Sequence, residues 1–176
     1  MPKKLNVGLG FDIDKLTNSI ENVVTGDLFQ TEVSVFTARD LAAVTGQRGW
    51  EFDWKAEFDN PGREVYKLWI IHNEQVIQGL LSIEIKADHI YMHLLENAPF
   101  NRGSRKMYAG VAGNLVAFAC KRSFHLGFEG YVSFLSKSKL VAHYEATLDA
   151  THVGGRVMII NTESALKLTG KYFKSE

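Results

Sequence analysis

The chain has 176 residues, and its 20 Lys and Arg balance 20 Asp and Glu, so the formal net charge is zero. That length suits one domain with a sizeable core, and the charge balance argues against a general nucleic-acid binder, which needs a basic excess. No apolar run reaches the length of a membrane span, the start MPKKLNVGLGFDIDK lacks a signal-peptide core, and the single Cys120 has no internal disulfide partner, so a cytoplasmic protein is expected.

In chain order, Leu16, Ile20 and Val23 or Val24 fall on one side of a short helix over residues 11–25. Thr31 to Phe36 alternates and is β-branched, which predicts a strand. Thr37 then N-caps a short helix. Gly46 to Asp59, with Trp50, Phe52, Trp54 and Phe58, reads as a strand or an ordered loop. After Asn60-Pro61-Gly62 the pattern sharpens into an antiparallel meander. Its strands are Val65–His72, Val76–Ile85 and His89–Glu96, with turns at Asn73-Glu74 and Ala87-Asp88. A helix from about Tyr108 to His125 follows, ended by Gly127 and Gly130. Strand Tyr131–Leu135, helix Ser138–Leu148, strand Val153–Ile160 and helix Glu163–Tyr172 complete the order. Several antiparallel strands followed by β-α-β-α-β predict an α/β three-layer sandwich with a mixed central sheet.

The segment Asn101 to Ser123, NRGSRKMYAGVAGNLVAFACKRS, carries the most chemical information. Gly103, Gly110 and Gly113 allow close backbone approach, and Arg102, Arg105 and Lys106 set positive charge beside them. Free N–H groups and a positive dipole end at a helix start attract anions, here a phosphate or pyrophosphate. The same residues also serve an ordinary strand-to-helix turn. No Gly-Lys-Ser/Thr follows, and G-x-G-x-x-G, H-E-x-x-H and G-x-S-x-G are absent. His89 and His93, four apart on a strand, lie about 13 Å from each other, too far for one metal ion. Cys120, among Leu115, Phe118 and Ala119, reads as a buried structural thiol.

From Val65 to Phe173 the chain resembles the GNAT superfamily of acyl-CoA-dependent N-acyltransferases. The element order carries the resemblance, together with two motifs. Met107-Tyr108-Ala109-Gly110-Val111-Ala112 is similar to the family's pyrophosphate signature Arg/Gln-x-x-Gly-x-Gly/Ala, with Met107 at the Arg/Gln position. Ser136 to Ala150 is similar to the second motif, with Lys137 where many members have Asn and Asp149-Ala150 where Gly-aromatic is common.

The resemblance implies a cofactor-binding core over residues 65–173 and a divergent acceptor side over residues 1–60. It implies acetyl-CoA as co-substrate, no metal, and a small-molecule or protein amine as acceptor. Neither nucleic acid nor membrane is an expected partner, and a homodimer stays open. The cofactor would lie on Leu94 and Leu95 of the third meander strand. It would also touch Tyr108, Ala109, Gly110, Val111, Ala112, Gly113 and Asn114 at the helix start, with charge from Arg105 or Lys106. Glu96 is the candidate general base, or else caps or pairs at a strand end. Tyr144 is the candidate proton donor to the leaving thiolate, or else a half-buried aromatic on an amphipathic helix; counting back from Asp149-Ala150 selects Glu145 instead. His143 is a reserve acid or base. Trp50-Glu51-Phe52-Asp53-Trp54 suits a cationic amine, or packs as an edge strand. The expected activity is direct acetyl transfer to an amine in a ternary complex. A non-catalytic domain of the same fold, binding acyl-CoA or a protein partner, is the alternative.

Overall fold

The computed structural model describes residues 8–17 and 19–172. Its main element is a seven-stranded mixed sheet of order β3-β4-β5-β6-β8-β10-β9. The strands are β3 (Thr31–Val35), β4 (Glu64–Ile70), β5 (Asn73–Ile85), β6 (Ile90–Asn97), β8 (Val132–Leu135), β9 (Thr151–His152) and β10 (Val157–Ile160). The first four pair antiparallel, β8 is parallel to β6, and the last three pair antiparallel. The meander therefore stands where the alternation placed it. Its first turn lies two residues earlier than expected, at Ile71-His72, where His72 takes a positive φ of 75°.

Helix α2 (Val111–His125) buries Val111, Ala112, Leu115, Val116 and Ala119. A Cβ on Gly79 would stand 2.7 Å from Val111, so α2 covers the face of β5 that carries Gly79, Leu81 and Ile83. Helix α4 (Thr162–Tyr172) packs beside α2 in the same layer. The opposite face carries Leu80, Ser82 and Lys67. There Lys67 pairs with Asp40 of the 3-10 helix Ala38–Ala43 at 2.9 Å, and helix α1 (Trp54–Asp59) buries Trp54. Two layers of helix thus sandwich the sheet. Among the described residues, no helix is long and apolar enough to cross a membrane.

Three expectations fail locally. Residues 11–17 are extended rather than helical, and Ile20–Asn22 is a strand, β1, paired with β2 (Leu28–Phe29); Asn18 lies outside the described residues. Gly46–Asp59 holds a 3-10 turn and α1, not a strand, because Asp53 N-caps α1 by accepting from the Ala56 N–H at 3.0 Å. Helix α2 starts at Val111. Tyr108–Ala109 instead forms β7, which pairs with β1 and takes those residues out of the helix.

The segment 9–13 has an alternation of its own. Leu9, Phe11 and Ile13 are 4–8% exposed and belong to the core, while Gly10 and Asp12 point outward. Burying each of the three contributes about 1.5–3 kcal/mol. The Phe11 ring lies 5.9 Å from that of Phe134 on β8 and 4.8 Å from that of Tyr144 on helix α3 (Val141–Leu148).

Candidate functional site

β6 and β8 pair only at Ile90↔Val132 and Tyr91↔Ser133. Beyond that the strands part, and two features explain why. On β6, Ile83 pairs with Met92 but Ser82 with Leu94, so His93 is an extra, bulged residue. A bulge bends its strand and raises the local twist. On β8, the edge that faces β6 is taken by Leu9. Its N–H donates to the Leu135 carbonyl at 2.6 Å, and its carbonyl accepts from the Lys137 N–H at 3.0 Å, while the other edge pairs with β10.

The gap left between the two strands is a cavity of about 500 Å³. Leu95, Glu96 and Asn97 line one side and Gly8 to Asp12 with Asp14 the other; Glu51, Phe52, Asn101 to Gly103, Lys106 and Lys137 complete it. The Lys137 side chain lies so close to Gly10 that a Cβ there would stand 2.8 Å from it. That volume accommodates a small molecule or part of a larger ligand.

Glu96 is 4% exposed and its carboxylate is surrounded by donors. Oε2 accepts from the Glu51 N–H at 2.7 Å and from Arg102 at 3.3 Å. Oε1 accepts from the Phe52 N–H at 3.2 Å and from Trp54 Nε1 at 2.8 Å. Arg102 also reaches Glu51 at 3.2 Å and the Gly49 carbonyl at 2.5 Å. Glu96 is therefore the anchor of the 49–54 loop. A proton could be taken from an amine only after one of these bonds is released.

The glycine turn before α2 is also engaged. Gly110 has a φ of 97°, a conformation that suits glycine. Its N–H donates to Asp14 Oδ1 at 3.0 Å, and Lys106 Nζ meets Asp14 Oδ2 at 2.8 Å. A Cβ on Gly110 would meet Thr17 at 2.8 Å and the Ser19 carbonyl at 3.1 Å; one on Gly113 would collide with the Tyr172 hydroxyl. Asn114 Nδ2 donates to the carbonyls of Gly110 and Ser19, at 2.6 and 3.2 Å. The space that the glycines leave is filled by the chain's own Leu16, Thr17, Ser19 and Tyr172.

Tyr144 faces inward and is 0% exposed, while Glu145 is exposed, which settles the helix phase. The Tyr144 hydroxyl donates to the Phe11 carbonyl at 2.6 Å, and burial raises its pKa. Next to it, the Ile13 N–H donates to His143 Nε2 at 3.0 Å. Cys120 is fully buried and its thiol is pushed up to about 12 by burial, so it stays protonated.

No family model and no curated protein sequence matches the chain. Solved structures do. The chain is similar to FeeM, an N-acyl amino acid synthase from uncultured soil microbes, with TM-score 0.54 and 11% identity over 80% of this chain and 95% of that one. It is similar to a mutant AtaT toxin bound to the C-terminus of the antitoxin AtaR and acetyl-CoA, with TM-score 0.53 and 15% identity over 78% and 97%. It is also similar to the spermidine/spermine N-acetyltransferase SpeG from Vibrio cholerae, with TM-score 0.52 and 15% identity over 78% and 96%. The chain has the GNAT fold.

Of the expected GNAT site residues, the structure brings Leu95, Glu96 and Lys106 together at the cavity. Leu94 is buried beside Ser82 on the face opposite α2. Arg105 is exposed and lies outside the cavity. Tyr108 stands edge-on to Phe29 at 5.8 Å, and Ala109, Val111, Ala112, Gly113 and Asn114 are buried at the covered helix start. Tyr144 does not line the cavity and reaches its wall through the carbonyls of Phe11 and Leu9, at 2.6 and 3.4 Å. Sequence reasoning passed over Asp14, Asp12 and Gly8 to Phe11, although the alternation of Leu9, Phe11 and Ile13 was a usable signal.

Tyr144→Phe is expected to lower the unfolding free energy by about 1 kcal/mol, the net worth of one neutral hydrogen bond, and Glu145→Gln to change it by less than about 0.5 kcal/mol. Denaturant titration of the two variants measures both. A Tyr144→Phe variant as stable as the parent would mean that the Phe11 contact is not formed.

Proposed function

We propose that the protein is an acyl-CoA-dependent N-acyltransferase that moves an acetyl group from acetyl-CoA to an amine by direct attack in a ternary complex. The observation that carries this reading is the cavity between the parted ends of β6 and β8, in a GNAT fold, with a glycine turn and Lys106 at one margin. Leu95 to Asn97, Lys106 and the Gly110 turn are the residues that would hold the cofactor. Its thioester supplies the activated acyl group when bound. Structural likeness to proteins named as N-acetyltransferases and an N-acyl amino acid synthase supports acyl transfer, and one neighbour's bound acetyl-CoA supports that donor.

The chain's own contribution is positioning, which carries much of the rate in such reactions. Glu96 fixes the loop that carries Glu51 and Phe52, and these with Asp12 give the cavity acidic and aromatic walls suited to an ammonium group. A non-catalytic acyl-CoA-binding domain is the second reading. It is favoured by the full engagement of Glu96 and by the burial of Tyr144.

Acetyl-CoA at 100 times its dissociation constant is expected to stabilise the protein by about 2.7 kcal/mol, a rise in midpoint of about 5–10 °C for a chain of this size. Gly110→Asp is expected to abolish that rise. Thiol release across an amine panel then separates the enzyme from the binding domain. No thermal shift with acetyl-CoA or CoA would overturn both readings.

A further inference from the structure

We propose that Asp14 to Thr17 is a latch, in which the Asp14 carboxylate is an internal anion that holds the Gly110 turn until a phosphate-bearing acyl carrier displaces it. The proposal rests on the acyl-CoA reading above and adds a regulation to the same site.

The geometry sets residues 14–17 apart from the residues before them. Leu9 to Ile13 is built into the fold, through backbone pairing with β8, three buried apolar side chains, and the bonds from Tyr144 and to His143. None of the next four residues is buried. They are held by a few polar contacts and by Leu16, which packs against the core beside Gly113. Asp14 binds the Gly110 N–H and Lys106, and the Thr17 N–H donates to the Tyr172 hydroxyl at 3.1 Å. Lys15 pairs with Glu21. Residues 14–17 can therefore lift while 9–13 stay seated, at the loss of the Leu16 contact beside Gly113 and of the bond to the Tyr172 hydroxyl.

The charge pattern fits displacement by an anion. Asp14 brings one negative charge to an N–H and an ammonium group, at a wall of the cavity that Lys106 also lines. A diphosphate offers more charge and more acceptor oxygens to the same donors. Lifting the latch also removes Thr17, which crowds the Gly110 backbone in the closed form. A protein whose competent form is a fraction of the total binds more weakly by that fraction, and removing the latch restores the affinity.

The experiment titrates CoA into the full-length protein and its Asp14→Ala and Asp14→Asn variants by calorimetry. It also follows hydrogen exchange of the unmodified protein with and without CoA. Asp14→Ala is expected to bind CoA about tenfold more tightly, with Asp14→Asn between it and the parent. CoA is expected to speed exchange in residues 14–17 and to leave 9–13 protected. Equal or weaker binding by a folded Asp14→Ala protein overturns the latch and leaves the acyl-CoA reading standing. Protection of residues 14–17 by CoA does the same. CoA binding by none of the three proteins removes the acyl-CoA reading and the latch together. Should the variants fail to fold, the exchange measurement on the unmodified chain decides.

Discussion

Glu96→Ala is expected to lower the unfolding free energy by about 3–5 kcal/mol, the usual loss when one partner of a buried charged network is removed. In a chain of this size that is a fall in midpoint of about 6–20 °C. The reason is local. The substitution strands the Glu51 and Phe52 N–H groups and the Trp54 indole N–H, and leaves Arg102 without its buried counter-charge. Buried donors without acceptors are costly. Glu96→Gln retains the volume but turns an amide NH₂ toward groups that already donate, so a smaller loss is expected. Thermal unfolding of both variants provides the measurement. If Glu96→Gln unfolded at the parent temperature and yet lost acyl transfer, the anchor role would be wrong and the general base would return.

Phe11→Ala is expected to cost about 3–5 kcal/mol, as for other buried aromatic truncations. Phe11 is 8% exposed and lies against Phe134 and Tyr144, so the substitution opens a void where β8 and α3 meet. The shared Tyr144 ring also stands 5.2 Å from Phe134, which leaves it little room to collapse into the space. A loss below about 1 kcal/mol in a denaturant titration would mean that residues 9–13 are not seated between the strands. The wall of the cavity would then have to be assigned to other residues.

The meander was legible because its β-branched and apolar runs are bounded by Asn60-Pro61-Gly62 and Ala87-Asp88, while its first turn, at Ile71-His72, carries no such mark. α2 was legible because Val111, Leu115, Val116 and Ala119 recur at helical spacing along one apolar face. The region before it misled because two periods overlap. Leu16, Ile20 and Val23 imitate a helix, while Leu9, Phe11 and Ile13 alternate as a strand does. What decides between them is remote in sequence: the edge of β8, with the Leu135 carbonyl as acceptor and the Lys137 N–H as donor. Propensity cannot see such a partner.

The site was partly legible. Lys106 and Glu96 were singled out and both line the cavity. The partners that occupy them were not visible. Two of the donors to Glu96 are main-chain N–H groups, which any residue at those positions would supply. Asp14 is an ordinary aspartate until the fold carries it to the Gly110 turn, 96 residues further along the chain.

The bulge at His93 works as a spatial frame shift. Before it, residues of even number on β6 face α2; after it, residues of odd number do, as the pairings Ile83↔Met92 and Leu81↔Leu95 record. Pairing every residue of β6 regularly, with His93 taken into the ladder instead of bulged out, would turn everything beyond it to the other face of the sheet. Glu96 would then be thrust among Val111 and Leu115, and Leu95 would be left facing the donors of the 49–54 loop. With β6 at its present length, the irregularity therefore cannot be smoothed away while the anchor survives. The part of β6 that bounds the cavity is written in a different phase from the part that builds the sheet.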